Sequence, residues 1–241
     1  MISLRLKNSP LLPAALLMLV AAAFGFGQQP AEKHNQRPEI MAAPAAAIEK
    51  RVPASYGYEF SQPEFLIHHI VIEHDADGRG RITFEKLNEE TALTEPLQMS
   101  ASTLNKIASL WEAMRFLEST EDYQTTRQYP HLGTMRLRME QGSRKRTAEF
   151  NWTNHKEAAE LVAEYRRIAD QTILVFDISV ARESQPLNSP KLMEQLEGML
   201  RRNNLSDPKQ LLPLLKDISI DEHLPLIARN HALRLIKKIE K

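Results

Sequence analysis

Five basic side chains concentrate on one predicted β-hairpin and form the most prominent candidate binding surface in the sequence. They are Arg136, Arg138, Arg144, Lys145 and Arg146. Clustered guanidinium and ammonium groups attract anionic polymers and lipid head groups. Charged strand residues also discourage sheets from pairing edge to edge, and Glu140 and Glu149 lie on the same strands. These two acids favour a solvated hairpin, with an anionic partner as the alternative.

The histidines are the second group of interest, since imidazole is the commonest nitrogen ligand of metals. His68 and His69 are neighbours on a predicted strand, where successive side chains point to opposite faces. At roughly 3.3 Å per residue, His74 lies about 20 Å from His68. We therefore predict no metal-binding residue. His231 shares a helical stripe with Leu235 and is expected to be a hydrogen-bonded core residue.

The segment from Asp75 to Lys86 is similar to the calcium-binding loop of EF-hand proteins at four positions. These are Asp75, Asp77, Gly80 and Ile82. However, Arg79 occupies the fifth position, which supplies a ligand, and Lys86 occupies the twelfth, where a bidentate glutamate closes the calcium shell. Two basic side chains would repel the cation. We expect a glycine-rich hairpin turn and no bound calcium.

The sequence contains no local catalytic motif. There is no Gly-x-Ser-x-Gly, no phosphate loop and no His-Glu-x-x-His, so we predict no catalytic or cofactor-binding residue. Enzymatic activity stays open, because catalytic groups can also assemble from distant positions. The 241 residues include 31 Lys and Arg against 31 Asp and Glu, which gives no electrostatic reason to expect nucleic acid. The lack of cysteine excludes disulfides, thiolate zinc sites and cysteine-linked lipids.

The N-terminal region predicts export. Arg5 and Lys7 precede an apolar run from Leu11 to Phe26, followed by Gly27, which is the pattern of a cleavable signal peptide over residues 1–27. An uncleaved anchor is the alternative, but the run is shorter than the roughly 20 residues that a bilayer core requires. Residues 28–61, rich in Ala, Pro and Gln, are predicted to be a disordered linker. We expect a periplasmic or extracellular location and no membrane span after cleavage.

Residues 62–188 predict an α+β domain. Two strands, 65–72 and 81–85, flank an Asp77-Gly78 turn, and a weaker strand at about 92–98 contains Pro96, which favours a sheet edge. A helix capped by Ser100 precedes the basic hairpin, whose second strand places Trp152 on the core face with Ala148 and Phe150. The expected architecture is an antiparallel sheet of about five strands packed on one medium and one long helix.

The long helix is predicted to run from Asn154 to Arg182, with Asn154 and Glu157 as a capping box. Its β-branched segment 173–176 could also form a strand, but the helical stripe continues through it.

Residues 189–241 predict a helical appendage, in which the last helix buries one stripe. The stripe comprises Leu224, Ile227, His231, Leu235 and Ile239.

Two resemblances follow from these patterns. The order of elements, with Tyr123 and Gly133-Thr134 before the second hairpin, resembles exported bacterial domains of unknown function over about residues 65–173. This resemblance implies a fold and an envelope location but no catalytic residues. The C-terminal helices are similar to a single HEAT-type repeat, in Leu211, Leu212, Leu214 and Leu215 and then Ala228, Arg229, Ala232, Ile236 and Ile239. Since repeats need neighbours, a generic helical hairpin packed on the domain is the other interpretation.

The functional expectation is an exported, non-catalytic cell-envelope module that binds a protein partner or a ligand. The alternative is an envelope hydrolase whose carboxylate and histidine residues come from distant positions. An enzyme should show a pocket where at least two titratable groups converge, whereas a binding module should show an exposed apolar or charged surface.

Overall fold

The computed structural model of the chain describes residues 52–87 and 89–241. The predicted signal peptide, and the predicted linker as far as residue 51, lie outside the described residues.

Six strands form one antiparallel sheet in the spatial order β4-β3-β2-β1-β5-β6. They are β1 (Ala54–Ser61), β2 (Ile67–Asp75), β3 (Arg79–Lys86), β4 (Leu93–Gln98), β5 (Thr134–Gln141) and β6 (Arg144–Phe150). The helices are α1 (Ala101–Ala113), α2 (Lys156–Ser184), α3 (Ser189–Arg201), α4 (Leu212–Ile220) and α5 (Leu226–Ile239). The predicted α+β class is therefore confirmed, and β4 with its Pro96 lies at an edge of the sheet.

The predicted linker extends too far, because its last eight residues form β1 in the middle of the sheet. Tyr58 of β1 is paired with Ile72 of β2 on one side and with Leu137 of β5 on the other. Tyr58 and Phe60 point into the core, while Glu59 lies between them on the other face. This strand raises the count from about five strands to six.

One face of the sheet packs against α1 and α2. Its buried side chains include Ile72, Phe84 and Leu137, which belong to the same apolar cluster as Trp111 of α1 and Leu161 of α2. Fully burying one such side chain stabilises the fold by about 1.5–3 kcal/mol. The opposite face of the sheet presents charged strand residues, which form ion pairs across neighbouring strands.

The N-terminal ends of α1 and α2 are capped by side chains. The Ser100 hydroxyl accepts the Thr103 N–H, as predicted. The predicted capping box at the start of α2 is wrong, because the helix begins at Lys156 and the ring of His155 accepts the Ala158 N–H. The doubtful segment 173–176 is helical, and α2 is one uninterrupted helix of 29 residues.

α2 belongs to two apolar clusters. Leu161 and Tyr165, in its first half, lie in the cluster beneath the sheet. Leu174 and Ile178, in its second half, lie in a second cluster with Leu235 and the other buried residues of α3, α4 and α5. Ile173 and Phe176 pack with the cluster beneath the sheet, whereas Leu174 and Val175 pack with the C-terminal helices. The helix therefore gives these residues packing partners on two sides, and they do not require a strand.

The stripe predicted for α5 is confirmed except at Ile227. His231, Leu235 and Ile239 are buried, but Ile227 is 62% exposed. Ala228, one position further, is buried in its place. The buried face is therefore rotated by about one residue, or 100°, at its N-terminal end.

Polar side chains join the C-terminal helices to the α+β part. Glu164 of α2, only 2% exposed, accepts hydrogen bonds from Lys106 (2.6 Å), Arg167 (2.5 Å) and Ser206 (2.8 Å). Burial opposes ionisation, but these hydrogen bonds hold the pKa of Glu164 below its usual value. The predicted division at residue 188 therefore separates two parts of one compact unit.

Candidate functional site

The five basic residues predicted as an anionic-partner surface lie on two different faces. Arg136, Arg138 and Lys145 are on the open face of the sheet, whereas Arg144 and Arg146 are on the face that carries the helices. The two-residue turn between β5 and β6 sets this parity, since side chains alternate along each strand. The five side chains thus form no common surface.

The three residues on the open face are paired with carboxylates. Arg136 contacts Glu59 and Glu149, both at 2.7 Å, and Arg138 contacts Glu73 at 2.7 Å. Lys145 contacts Glu140 at 2.7 Å. Hydrogen bonds with Glu149 and charge interaction with Glu59 raise the pKa of Arg136. On this face the basic side chains are therefore charge-paired with carboxylates of the sheet.

Arg144 and Arg146 are used within the fold. Arg144 forms an ion pair with Glu118 at 2.6 Å. Arg146 donates to the backbone carbonyls of Phe116 (2.7 Å) and Glu121 (2.6 Å), and its guanidinium lies 5.2 Å from the Tyr123 ring centroid. These contacts attach the loop after α1 to β6, so Arg146 has a structural role.

The segment similar to an EF-hand loop forms the expected hairpin turn between β2 and β3. One oxygen of Asp75 accepts the backbone N–H groups of Asp77 and Arg79, both at 2.9 Å. Gly78 has a φ of 73°, which glycine adopts without strain. Within residues 52–87 and 89–241, no three His, Asp or Glu side chains have the arrangement of a metal site.

The prediction that His68 and His69 face apart is wrong. A β-bulge between Ile67 and His69 changes the local register, and both imidazoles contact Glu85, at 3.1 and 3.0 Å. The second nitrogen of His69 contacts Glu59 at 3.2 Å. Burial alone would lower the pKa of His69, but hydrogen bonds with the two glutamates raise it. Both ring nitrogens of His69 therefore contact carboxylates.

His74 and His231 are core residues. The Nε2 of His74 is hydrogen bonded to the Tyr165 hydroxyl at 2.7 Å, and the Trp111 indole donates to the same hydroxyl at 3.0 Å. Burial lowers the pKa of His74 and raises that of Tyr165. His231 is hydrogen bonded to Glu197 at 3.0 Å, which confirms its predicted role.

An apolar groove of about 340 Å³ lies between one end of the sheet and the first half of α2. Its walls include Phe65, Leu132, Met135, Phe150, Trp152 and Val162. We refer to this surface as the apolar groove. Sequence patterns did not indicate it, because its walls come from four separate segments of the chain.

Two large aromatic residues of the groove are exposed. Phe65 is 41% exposed and Trp152 is 46% exposed. The prediction that Trp152 lies in the core is wrong, since β6 ends at Phe150 and the alternation stops there. Trp152 packs instead against Tyr129, whose ring centroid lies 4.9 Å from the Arg127 guanidinium. Two exposed aromatic side chains, here Phe65 and Trp152, in a concave apolar surface are typical of a binding site.

Arg166 is the one titratable residue in the lining of the apolar groove, as far as the described residues show. It projects from α2, and its guanidinium lies 4.5 Å from the centroid of the Phe60 ring. The groove thus combines apolar walls with a single positive charge. This arrangement can bind an apolar group but supplies no acid–base pair.

A second groove, of about 520 Å³, lies between α2, α3 and the end of β3. Its lining contains Lys86, Glu89, Asp177 and Lys191. Lys86 is already paired with Asp177 at 2.7 Å and lies 3.5 Å from Glu89. Several titratable groups that converge in one groove are the feature expected of the alternative, an enzyme.

None of the described helices combines the length and the apolar composition needed to cross a membrane. No protein-family model and no curated protein matches the sequence.

Proposed function

We propose that this chain is an exported, non-catalytic module of the bacterial cell envelope that binds a partner molecule through the apolar groove. The groove itself carries the proposal, because Phe65 and Trp152 remain exposed in a concave surface where burial would stabilise them. Binding a partner would remove this apolar area from water, at about 25 cal/mol per Å². General acid–base catalysis needs an acid and a base, and Arg166 supplies neither near neutral pH.

The N-terminal sequence supports the envelope location. Arg5 and Lys7 before the apolar run, and the small residues after it, match the requirements of a signal peptide. The Ala- and Pro-rich residues that follow would space the folded unit from the site of attachment or release. Intact mass of the protein recovered from an envelope fraction tests this part. Retention of residues 1–27 on most molecules, or recovery from the cytosol, would contradict it.

Binding through the groove can be tested with the natural fluorescence of Trp152. A Trp111→Phe background leaves Trp152 as the sole tryptophan. Decanol, a neutral apolar probe, should shift the Trp152 emission to shorter wavelength as water leaves the groove. Ala163→Glu places a charge in the groove lining and should abolish the shift. Ala113→Glu, at an exposed position of α1, is the matched control and should leave it unchanged.

The alternative of an envelope hydrolase is supported by the second groove, where Lys86 and Asp177 meet. The Asp177 carboxylate already accepts a hydrogen bond from Lys86, so its use as a base would require Lys86 to move. Asp177→Asn tests this alternative against panels of ester, amide and glycoside substrates. Hydrolysis by the natural protein that is lost in the Asp177→Asn variant would replace the binding proposal with the hydrolase.

A further inference from the structure

Arg166 has no carboxylate partner at ion-pair distance among the described residues. Its neighbour Arg167 is paired with Glu164 at 2.5 Å. Burial raises the pKa of Asp170, one helical turn further along α2, and the charge of Arg166 opposes this rise from beyond the ion-pair distance of 4.0 Å. Arg166 also lies near the buried Tyr58 hydroxyl, where its charge opposes the rise that burial causes in the pKa of Tyr58. The Phe60 ring supports the guanidinium from one side by a cation–π contact. An arginine held in this way presents its N–H donors at the border of an apolar surface.

The side-chain oxygen atoms of Asn151 and Thr153 in the groove lining already accept hydrogen bonds within the protein. The side-chain oxygen of Asn151 accepts the Tyr129 N–H at 3.0 Å and the Gln124 amide at 3.2 Å. The Thr153 hydroxyl accepts the His155 N–H at 3.1 Å. A polypeptide in the groove would bury backbone N–H groups that need acceptors, whereas an aliphatic chain needs none. The groove is therefore better matched to an aliphatic chain than to a peptide.

The size of the groove agrees with one such chain. Its volume of about 340 Å³ lies near the lower limit of small-molecule sites, which span about 300–1,000 Å³. Its walls are apolar along Leu132, Phe150 and Val162, and the single cation is Arg166. An occupant that satisfies all of these features has one apolar tail and one anionic head.

We infer that the apolar groove binds a single-chain aliphatic carboxylate, with the tail against Trp152 and Val162 and the carboxylate on Arg166. This inference rests on the proposed function and specifies its ligand class. The tail would displace water from the exposed aromatic rings, and the carboxylate would accept hydrogen bonds from the guanidinium, which are among the strong ones in proteins.

The test compares decanoate, decanol and decyltrimethylammonium, each below the concentration at which it self-assembles. The readout is Trp152 emission in the Trp111→Phe background, with Arg166 present or replaced. Decanoate should bind about tenfold more tightly than decanol, because the carboxylate gains charge-assisted hydrogen bonds. Affinity should rise about fourfold for each methylene added from octanoate to decanoate. Arg166→Gln should remove the advantage of decanoate, whereas Arg138→Gln, on the open face of the sheet, should preserve it.

Charge reversal separates recognition from loss of structure. In the Arg166→Glu variant, decyltrimethylammonium should bind more tightly than decanoate, a result that a damaged fold would not give. Equal binding of decanol and decanoate by the natural protein would overturn the inference but leave the proposed function intact. If the natural protein bound neither decanol nor decanoate, both the inference and the proposed function would be overturned. Tighter binding of a short peptide ending in Leu-Phe with a free carboxylate would replace the aliphatic ligand with a polypeptide.

Discussion

Replacing Leu235 with alanine should weaken the whole fold, including the part beneath the sheet. Leu235 is fully buried among α3, α4 and α5. The substitution removes three carbon atoms, and at about 0.8 kcal/mol for each buried methylene this alone costs about 2.4 kcal/mol. The cavity left behind raises the total cost into the range of about 2–5 kcal/mol. α2 should transmit this loss, because Leu174 and Leu161 of the same helix lie in the two different clusters.

Urea unfolding monitored by two probes measures this coupling. Trp111 is 3% exposed and reports on the cluster beneath the sheet, provided that Trp152 is replaced by phenylalanine. Far-ultraviolet circular dichroism reports mainly on the helices. In the Leu235→Ala variant both transitions should move to lower urea by the same amount. Leu233→Ala, at a position of α5 that is 45% exposed, should change the stability by less than about 0.5 kcal/mol.

A separate early transition in circular dichroism, with the Trp111 transition unmoved, would refute this reasoning. That result would mean that the C-terminal helices unfold independently and that the contacts of Ser206 and Glu164 do not couple them to the rest.

Three further predictions concern single side chains. Tyr165→Phe should cost about 1–3 kcal/mol in urea unfolding because the buried Trp111 indole loses its acceptor. Tyr58→Phe should cost less, since the Tyr58 hydroxyl makes no hydrogen bond of normal geometry among the described residues and has only a weaker interaction with the nearby Arg166. The native pKa of Glu164 is lowered, so its contribution to stability is present above the unfolded value of about 4.3 and is lost as the pH falls through the native pKa. Melting temperatures from pH 7 down to pH 3 should therefore fall more steeply in the natural protein than in Glu164→Gln. Gly80→Ala should lower the melting temperature by several degrees, because the added Cβ would overlap a backbone carbonyl of β2.

Local sequence patterns predicted most elements of this fold. They failed where an element depends on residues that are distant in the sequence. Asp77-Gly78 located the first hairpin, and the apolar stripe of α2 predicted a helix through residues 173–176. β1 was missed although Tyr56, Tyr58 and Phe60 alternate correctly for a strand. The preceding Ala- and Pro-rich composition suggested a linker, and the pairing of β1 with β5 is not visible in any short window.

The candidate site was harder to predict than the fold. The basic composition of the hairpin predicted one charged surface. Side chains alternate along each strand, so the length of the turn places Arg136 and Arg138 on one face of the sheet and Arg144 and Arg146 on the other. The apolar groove had no comparable signal. Phe65, Leu132, Trp152 and Val162 are distant in sequence, and only the packing of α2 beside the sheet brings them together.

The position of β1 has a consequence for synthesis of the chain. β1 is the first of the described strands to leave the ribosome, but Phe60 pairs with Ile70 on one side and with Met135 on the other. The first partner follows within a few residues, whereas the second is made only after β4 and α1. During that interval the growing chain presents β1 as an unpaired apolar edge, which is a template for aggregation. A chaperone that delays folding would protect this edge until β5 has been made.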